Sequence, residues 1–203
     1  MYSTRSGLVL GFHGCDDTVA HAVLNGQSFL KTSSNSYDWL GHGIYFWENS
    51  PSRACEFAEQ LRKYPNRSKG NISKPAVIGA VIDLGVCLDL LDYQNLQLLK
   101  MAYRFVTSTK KKSSVPKNKP TGYSGEFLLK ELDCMVIETV HALKKQAAQS
   151  AFDSIRGVFF EGEEIYPNAS FREKDHIQIC VRNPNCIKGF FLPRELNEHF
   201  PKV

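Results

Sequence analysis

The stretch Tyr37-Asp38-Trp39-Leu40-Gly41-His42-Gly43-Ile44-Tyr45-Phe46-Trp47-Glu48 crowds aromatic side chains, two glycines and a histidine into one short run. Glycines flank His42, and a residue without Cβ can take φ > 0 and let its backbone come close to a neighbour. Ile44-Tyr45-Phe46-Trp47 reads as a short buried strand of β-branched and aromatic residues. A glycine entry into an aromatic strand suits a place where a flat ring is held against a backbone. Taken alone it suits a strand after a tight turn equally well, so the rest of the chain has to decide.

The chain has 203 residues, 42% of them hydrophobic and 23% charged, enough for a real core and in keeping with one domain over residues 1–203. A net charge of +4 permits contact with an anionic partner without demanding one. The six cysteines are scattered, with no CxxC pair, which argues against a zinc ribbon or finger. No metal is expected. Neither a signal peptide nor an apolar run long enough to span a bilayer is evident, so a cytoplasmic protein with reduced thiols and no membrane contact is the expectation.

Residues 7–14 form a first apolar strand ending in His13-Gly14. Asp16 or Asp17 can cap a short helix with Val19, Ala20, Val23 and Leu24 on one face, closed by Gly26. After Trp47, Ser50-Pro51 starts a helix whose Ala54, Phe57, Ala58 and Leu61 recur at i, i+3, i+4 and i+7. Residues 76–84 read as a second strong strand, followed by Cys87-Leu88-Asp89-Leu90. A helix over 92–106 is expected to turn Leu96, Leu99 and Tyr103 inward. Residues 107–120 carry five lysines and two prolines, a Lys-rich surface loop that offers an anionic partner slight purchase. A long helix over 126–146 is expected to face the core with Leu128, Leu132, Met135, Thr139 and Leu143. Strands at 157–161, 176–181 and 186–192 close the chain, with Asn183-Pro184-Asn185 as a turn. Strands at both ends with helices between them indicate an α+β fold.

Three of these strands share a property: those carrying His13, Tyr45 and Gln178 each hold a polar residue in an apolar setting. A buried polar side chain without a partner costs about 1–3 kcal/mol, so three beside glycines and aromatics point to a shared pocket. At these residues the chain resembles the ADP-ribosyltransferases of the diphtheria-toxin and poly(ADP-ribose) polymerase branch, which carry an H-Y-[E/Q] triad. His13-Gly14 resembles the family's opening motif, and Gly41-His42-Gly43-Ile44-Tyr45-Phe46 is similar to its Gly-x-Gly-Ile-Tyr-Phe. Ser52-Arg53-Ala54 follows in the family's order, and Gln178-Ile179-Cys180-Val181 resembles the strand of its third signature residue. No motif matches between residues 84 and 149.

The resemblance implies split antiparallel sheets with flanking helices and NAD in the cleft between them. NAD would be the substrate. Cleaving its nicotinamide–ribose bond passes through an oxocarbenium-like state, for which orientation matters more than a strong base. Gly14 would pair its main chain with the nicotinamide carboxamide, and Tyr45, with Gly43 beside it, would form the wall on which the ring stacks. Phe57 would cover the other side, and His13 would donate to a ribose hydroxyl. Gln178 stands where the family usually has glutamate; an amide can bond a ribose hydroxyl but brings no full charge to the oxocarbenium. Single-unit transfer is therefore expected, not chain growth. Glu48, Glu161 or Glu173 could supply an auxiliary carboxylate. His176, on the same strand face as Gln178, stands where arginine-modifying members carry a second acid.

The function implied is mono-ADP-ribosyl transfer to a protein or nucleic-acid acceptor, in the manner of a toxin or phage-defence effector restrained by an inhibitory antitoxin. Two alternatives stay open: an NAD glycohydrolase with water as acceptor, and a module that only binds NAD or ADP-ribose.

Overall fold

The structure, a computed structural model, describes residues 7–65, 71–120, 129–195 and 198–199. Among the described residues there are seven strands: β1 (Val9–Asp16), β2 (Ile44–Glu48), β3 (Pro75–Ile82), β4 (Cys87–Asp89), β5 (Ser154–Phe159), β6 (His176–Val181) and β7 (Ile187–Phe191). Four helices accompany them: α1 (Asp17–Leu24), α2 (Pro51–Lys63), α3 (Tyr93–Thr109) and α4 (Glu131–Gln146). The strands form one sheet in the order β4-β5-β6-β2-β1-β3-β7, antiparallel except for the β4–β5 edge. The protein is thus α+β.

The sheet is not uniform along its width. β1 pairs with β3 over eight residues, whereas β1 and β2 share only Gly11↔Glu48 and Phe12↔Trp47. The strands β4-β5-β6-β2 and β1-β3-β7 of the one sheet are joined through this narrow pairing.

Strand alternation divides the core between the two faces. On one face Ile44, Phe46, Ile78, Ala80, Ile82, Ile179 and Val181 pack under Ala20 and Val23 of α1. On the other, Leu88, Ile155 and Cys180 pack under Ala102 of α3 and Val136, Ile137 and Val140 of α4. Phe12 and Trp47 pack with Ala54 of α2 on that same second face. The Asp16 carboxylate caps α1 by accepting from Thr18 N–H, and ties down the segment before β3 through Ser73 and Lys74 N–H. The hydrogen bond from the Thr18 hydroxyl, with those from the backbone N–H groups, holds its carboxyl well below the usual range.

Several boundaries and faces differ from the sequence reading. The long helix begins at Glu131, not 126; residues 126–128, Leu128 included, lie outside the described residues. It buries Cys134, Val136, Ile137, Val140 and His141, a face rotated by about one residue from Leu132, Met135, Thr139 and Leu143. α3 runs on to Thr109 and faces the core with Ala102 and Val106, while Leu96 and Tyr103 are exposed. Leu99 packs against the cluster shared with α4 as expected, whereas Ala102 and Val106, not Leu96 and Tyr103, are the buried residues of α3. The strand expected at 157–161 is β5, set three residues earlier; buried Ser154 and Arg156 disguised its start. Of the Lys-rich 107–120 segment, Lys112–Ser114 form a 3-10 turn. Among the described residues no helix is long and apolar enough to cross a membrane, and all six cysteines are free.

Candidate active site

The narrow join between β1 and β2 builds the site. Asn49 N–H donates to Leu10 O at 3.0 Å, so Leu10, Phe12 and, by alternation, Gly14 turn their main-chain groups toward β2. Pairing stops at Phe12↔Trp47, one step before Gly14 would meet Tyr45. The Tyr45 carbonyl is instead taken by the His13 side chain, whose Nδ1 lies 2.8 Å away. The register therefore gives the N–H and C=O of Gly14 no partner on β2. They face the opening where β1 and β2 part.

A carbonyl oxygen only accepts, so His13 Nδ1 carries the hydrogen and Nε2 of the neutral ring is an acceptor. Burial lowers the imidazole's pKa and keeps it neutral. What this ring can offer a hydroxyl group is therefore the Nε2 lone pair, as acceptor of a hydrogen bond, whereas the sequence reading had the ring donate. Gly14 has a second duty. A Cβ built there would lie 2.0 Å from Ala54 O and 3.2 Å from Ala58 Cβ, so α2 crosses β1 at van der Waals contact with bare backbone.

Tyr45 is fixed through its hydroxyl, which donates to Gly41 O at 2.8 Å and accepts from Leu40 N–H at 3.0 Å. With both functions used and the phenol's pKa raised well above normal by burial, what Tyr45 offers a ligand is its ring. The turn that holds it needs both glycines. Gly41 has φ +76°, and a Cβ on Gly43 would lie 2.4 Å from Cys180 Sγ on β6. Helix α4 clamps the same turn: Glu138 accepts His42 N–H at 2.9 Å while Arg182 donates to His42 O at 3.1 Å.

β6 lies directly beside β2, with Gln178 opposite Trp47 and Cys180 opposite Tyr45. Trp39 Nε1 donates to Gln178 Oε1 at 2.7 Å. Indole nitrogen is donor only, so the amide orientation is set: Oε1 is committed and the NH₂ is what Gln178 can present. The Trp39 ring reaches this position over Gly157, where a Cβ would lie 2.9 Å from it. Lys130 Nζ sits 4.9 Å above the Trp39 ring and 4.1 Å above that of Phe159; burial lowers its pKa. Phe159 stacks on His176 at 5.4 Å, and His176 in turn lies 6.0 Å from Trp47.

Not every expected residue is brought here. Phe57 packs on Trp47 at 4.9 Å, one strand position away from Tyr45's wall. Glu48 points to the opposite face from Gln178, where it binds buried Arg156, so it supplies no carboxylate to this side; strand alternation decides this. Glu173 is an exposed loop residue. Glu161 does approach, bound to Arg53 of α2 at 2.9 Å. Trp39, Lys130 and Arg53 are the residues sequence reasoning left without a role. A buried glycine at 157 making room for a distant ring was a signal visible only once β5 was aligned.

An open depression of about 600 Å³ lies elsewhere, lined by Glu138, His141 and Lys145 of α4 and by Arg182 after β6. Among the described residues no cluster of histidine, cysteine and carboxylate side chains could hold a metal.

No family model and no solved structure matches the chain. It is 25% identical over 193 residues to an uncharacterized protein of the archaeon Methanocaldococcus jannaschii, an alignment covering 87% of this chain and 83% of the relative.

Proposed function

We propose that the chain is an NAD-dependent mono-ADP-ribosyltransferase of the H-Y-[E/Q] kind, with the split-sheet cleft of that family. One observation carries the reading: residues 13–14, 45 and 178, remote in sequence, lie on three adjacent strands where β1 and β2 part. The main chain of Gly14, beyond the end of the β1–β2 ladder, suits the donor–acceptor edge of a carboxamide. The Tyr45 ring serves as the wall for nicotinamide, His13 Nε2 accepts from a ribose hydroxyl, and the Gln178 amide donates to one. Holding the dinucleotide in this way favours departure of nicotinamide by orientation. A neutral amide whose oxygen is already bonded cannot act as a carboxylate, which favours transfer of a single unit or hydrolysis over chain growth. A toxin or phage-defence setting with an antitoxin belongs to the same proposal.

The test is release of nicotinamide from NAD by the purified protein, followed by chromatography. Tyr45→Ala and His13→Ala are each expected to reduce it at least tenfold, by analogy with the loss of a positioning contact of about 1.4 kcal/mol. Full activity in Tyr45→Ala would sink the assignment. Labelled NAD with whole-cell lysate, followed by protease or nuclease, distinguishes a protein from a nucleic-acid acceptor.

A further inference from the structure

Between Tyr93 and Pro120 the chain carries seven lysines and arginines and no aspartate or glutamate. The remainder of the sequence is net acidic, so the whole positive excess of the protein sits in this segment. Its cations are open to a partner. Lys119 is bound to Glu131 at 2.9 Å, but among the described residues no carboxylate pairs with Lys100 or Arg104 of α3, or with Lys110, Lys111, Lys112 or Lys117 after it. Asp92, just ahead of the segment, is occupied in capping α3 through Gln94 N–H at 2.7 Å.

α3 turns aromatic rings outward among these cations. Ala102 and Val106 are its buried row, and at about 3.6 residues per turn Lys100 and Arg104 form the row on the opposite side. Tyr103 follows Lys100 by three positions, which places it on one flank of that row. Met101 precedes Arg104 by three, with Phe105 four residues on, which places both on the other flank. Tyr93 is 74% exposed, Tyr103 44% and Phe105 43%. Rings of this kind dominate core and interface energetics, so three left in water beside unpaired cations are contact area that the fold itself does not use.

A partner has to supply repeated negative charge together with flat faces for the rings. Single-stranded nucleic acid has both: phosphates along its backbone, and unpaired bases that stack on aromatic side chains. In a duplex the base faces are already stacked on one another. A membrane surface takes helices whose apolar side chains gather on one face; here the cations hold the middle of the exposed face, and sinking the rings would bury Lys100 and Arg104. An acidic peptide brings charge but no flat face. We propose that the outer face of α3 and residues 110–117 bind single-stranded nucleic acid, the cations holding phosphates while Tyr93, Tyr103 and Phe105 stack on bases. The far end of the segment is tied to the candidate site. Lys119 N–H donates to Leu129 O at 2.8 Å, Lys130 comes next, and its Nζ lies 4.9 Å above Trp39, whose indole holds Gln178.

The experiment measures fluorescence anisotropy of labelled oligothymidylate and oligouridylate of about 20 nucleotides, longer than a usual single-strand site, on the full chain without NAD. Binding is expected to be tighter than to a duplex of the same length, with log K falling against log salt by about 0.7 for each phosphate held. Lys100→Ala and Arg104→Ala should each reduce that slope by about 0.7. Tyr103→Ala and Phe105→Ala should each weaken binding about tenfold and leave the slope unchanged, because stacking releases no counterions. Tyr103→Phe, which keeps a ring, should bind like wild type, and unchanged urea midpoints establish that these exposed positions leave the fold intact. Preference for either oligonucleotide supports the inference and names the nucleic acid. Absence of binding, ring variants with wild-type affinity, a duplex held as tightly as the single strand, or tighter binding to phosphatidylserine vesicles or polyglutamate would overturn it. None of these results bears on the NAD cleft, which nicotinamide release tests separately.

Discussion

Gly14→Ala tests the packing on which the site depends. The new Cβ would lie 2.0 Å from Ala54 O, against an ordinary contact of 3.4 Å or more. The neighbour is a helix carbonyl, already held in the ladder of α2, and cannot swing aside as a side-chain tip could. Relief therefore requires α2 to lift from β1 by about 1 Å, taking Arg53 and Phe57 with it. Overpacking of this kind costs about 1–3 kcal/mol, and a displacement of about 1 Å in a positioned group can cost on the order of 100-fold in rate. Urea unfolding followed by circular dichroism should show a lower midpoint with an unchanged slope, and nicotinamide release should fall more than stability alone accounts for. Gly189→Ala is the control, since nothing lies within 4 Å of its Cβ position and its φ is ordinary. If Gly14→Ala unfolds at the midpoint of the Gly189→Ala protein and turns over NAD like wild type, the close crossing of α2 over β1 is wrong.

Trp39→Phe keeps a ring over Gly157 but removes the donor to Gln178 Oε1. A loss of about 1 kcal/mol is expected, roughly fivefold in any step that depends on the amide's orientation, read as nicotinamide release. His141 is buried on α4 with neither ring nitrogen partnered among the described residues, and burial, assisted by Arg182, pushes its pKa down to about 4. A folded-state pKa below the unfolded value of about 6.5 means stability is lost as pH falls from about 6.5 toward 4, up to about 3 kcal/mol. His141→Leu should be near neutral at pH 7 and more stable than wild type at pH 4.5, measured by urea titration at both; a large loss at pH 7 would show that the imidazole is satisfied after all. Arg156→Leu removes the 3% exposed guanidinium that serves Glu48 and Asp89. It should cost about 3–5 kcal/mol, and the double variant with Glu48→Leu should recover part of that; thermal unfolding decides.

The sequence by itself determined the α+β class, the strands of His13, Tyr45 and Gln178, the helix that follows Ser50-Pro51, and the need for glycine around His42. These are local consequences of alternation, capping and backbone freedom, written in contiguous residues. It also placed His176 on Gln178's face, because a strand has a period of two. What it left undecided depends on contacts between segments far apart. The core face of α4 was rotated because its apolar residues are continuous enough to allow more than one face, and only packing on Leu88 and Ile155 selects between them. Whether Glu48 could serve the site depended on the β2–β6 register, which sets Gln178 opposite Trp47 and turns Glu48 to the other face. The direction of the His13 hydrogen bond required knowing that β2 leaves β1 after Phe12. Most of all, Trp39 looked like an ordinary core residue until the tertiary structure set its indole N–H on Gln178 Oε1. That pairing joins segments far apart in sequence and is a property of the folded chain, since in the unfolded one water satisfies both groups.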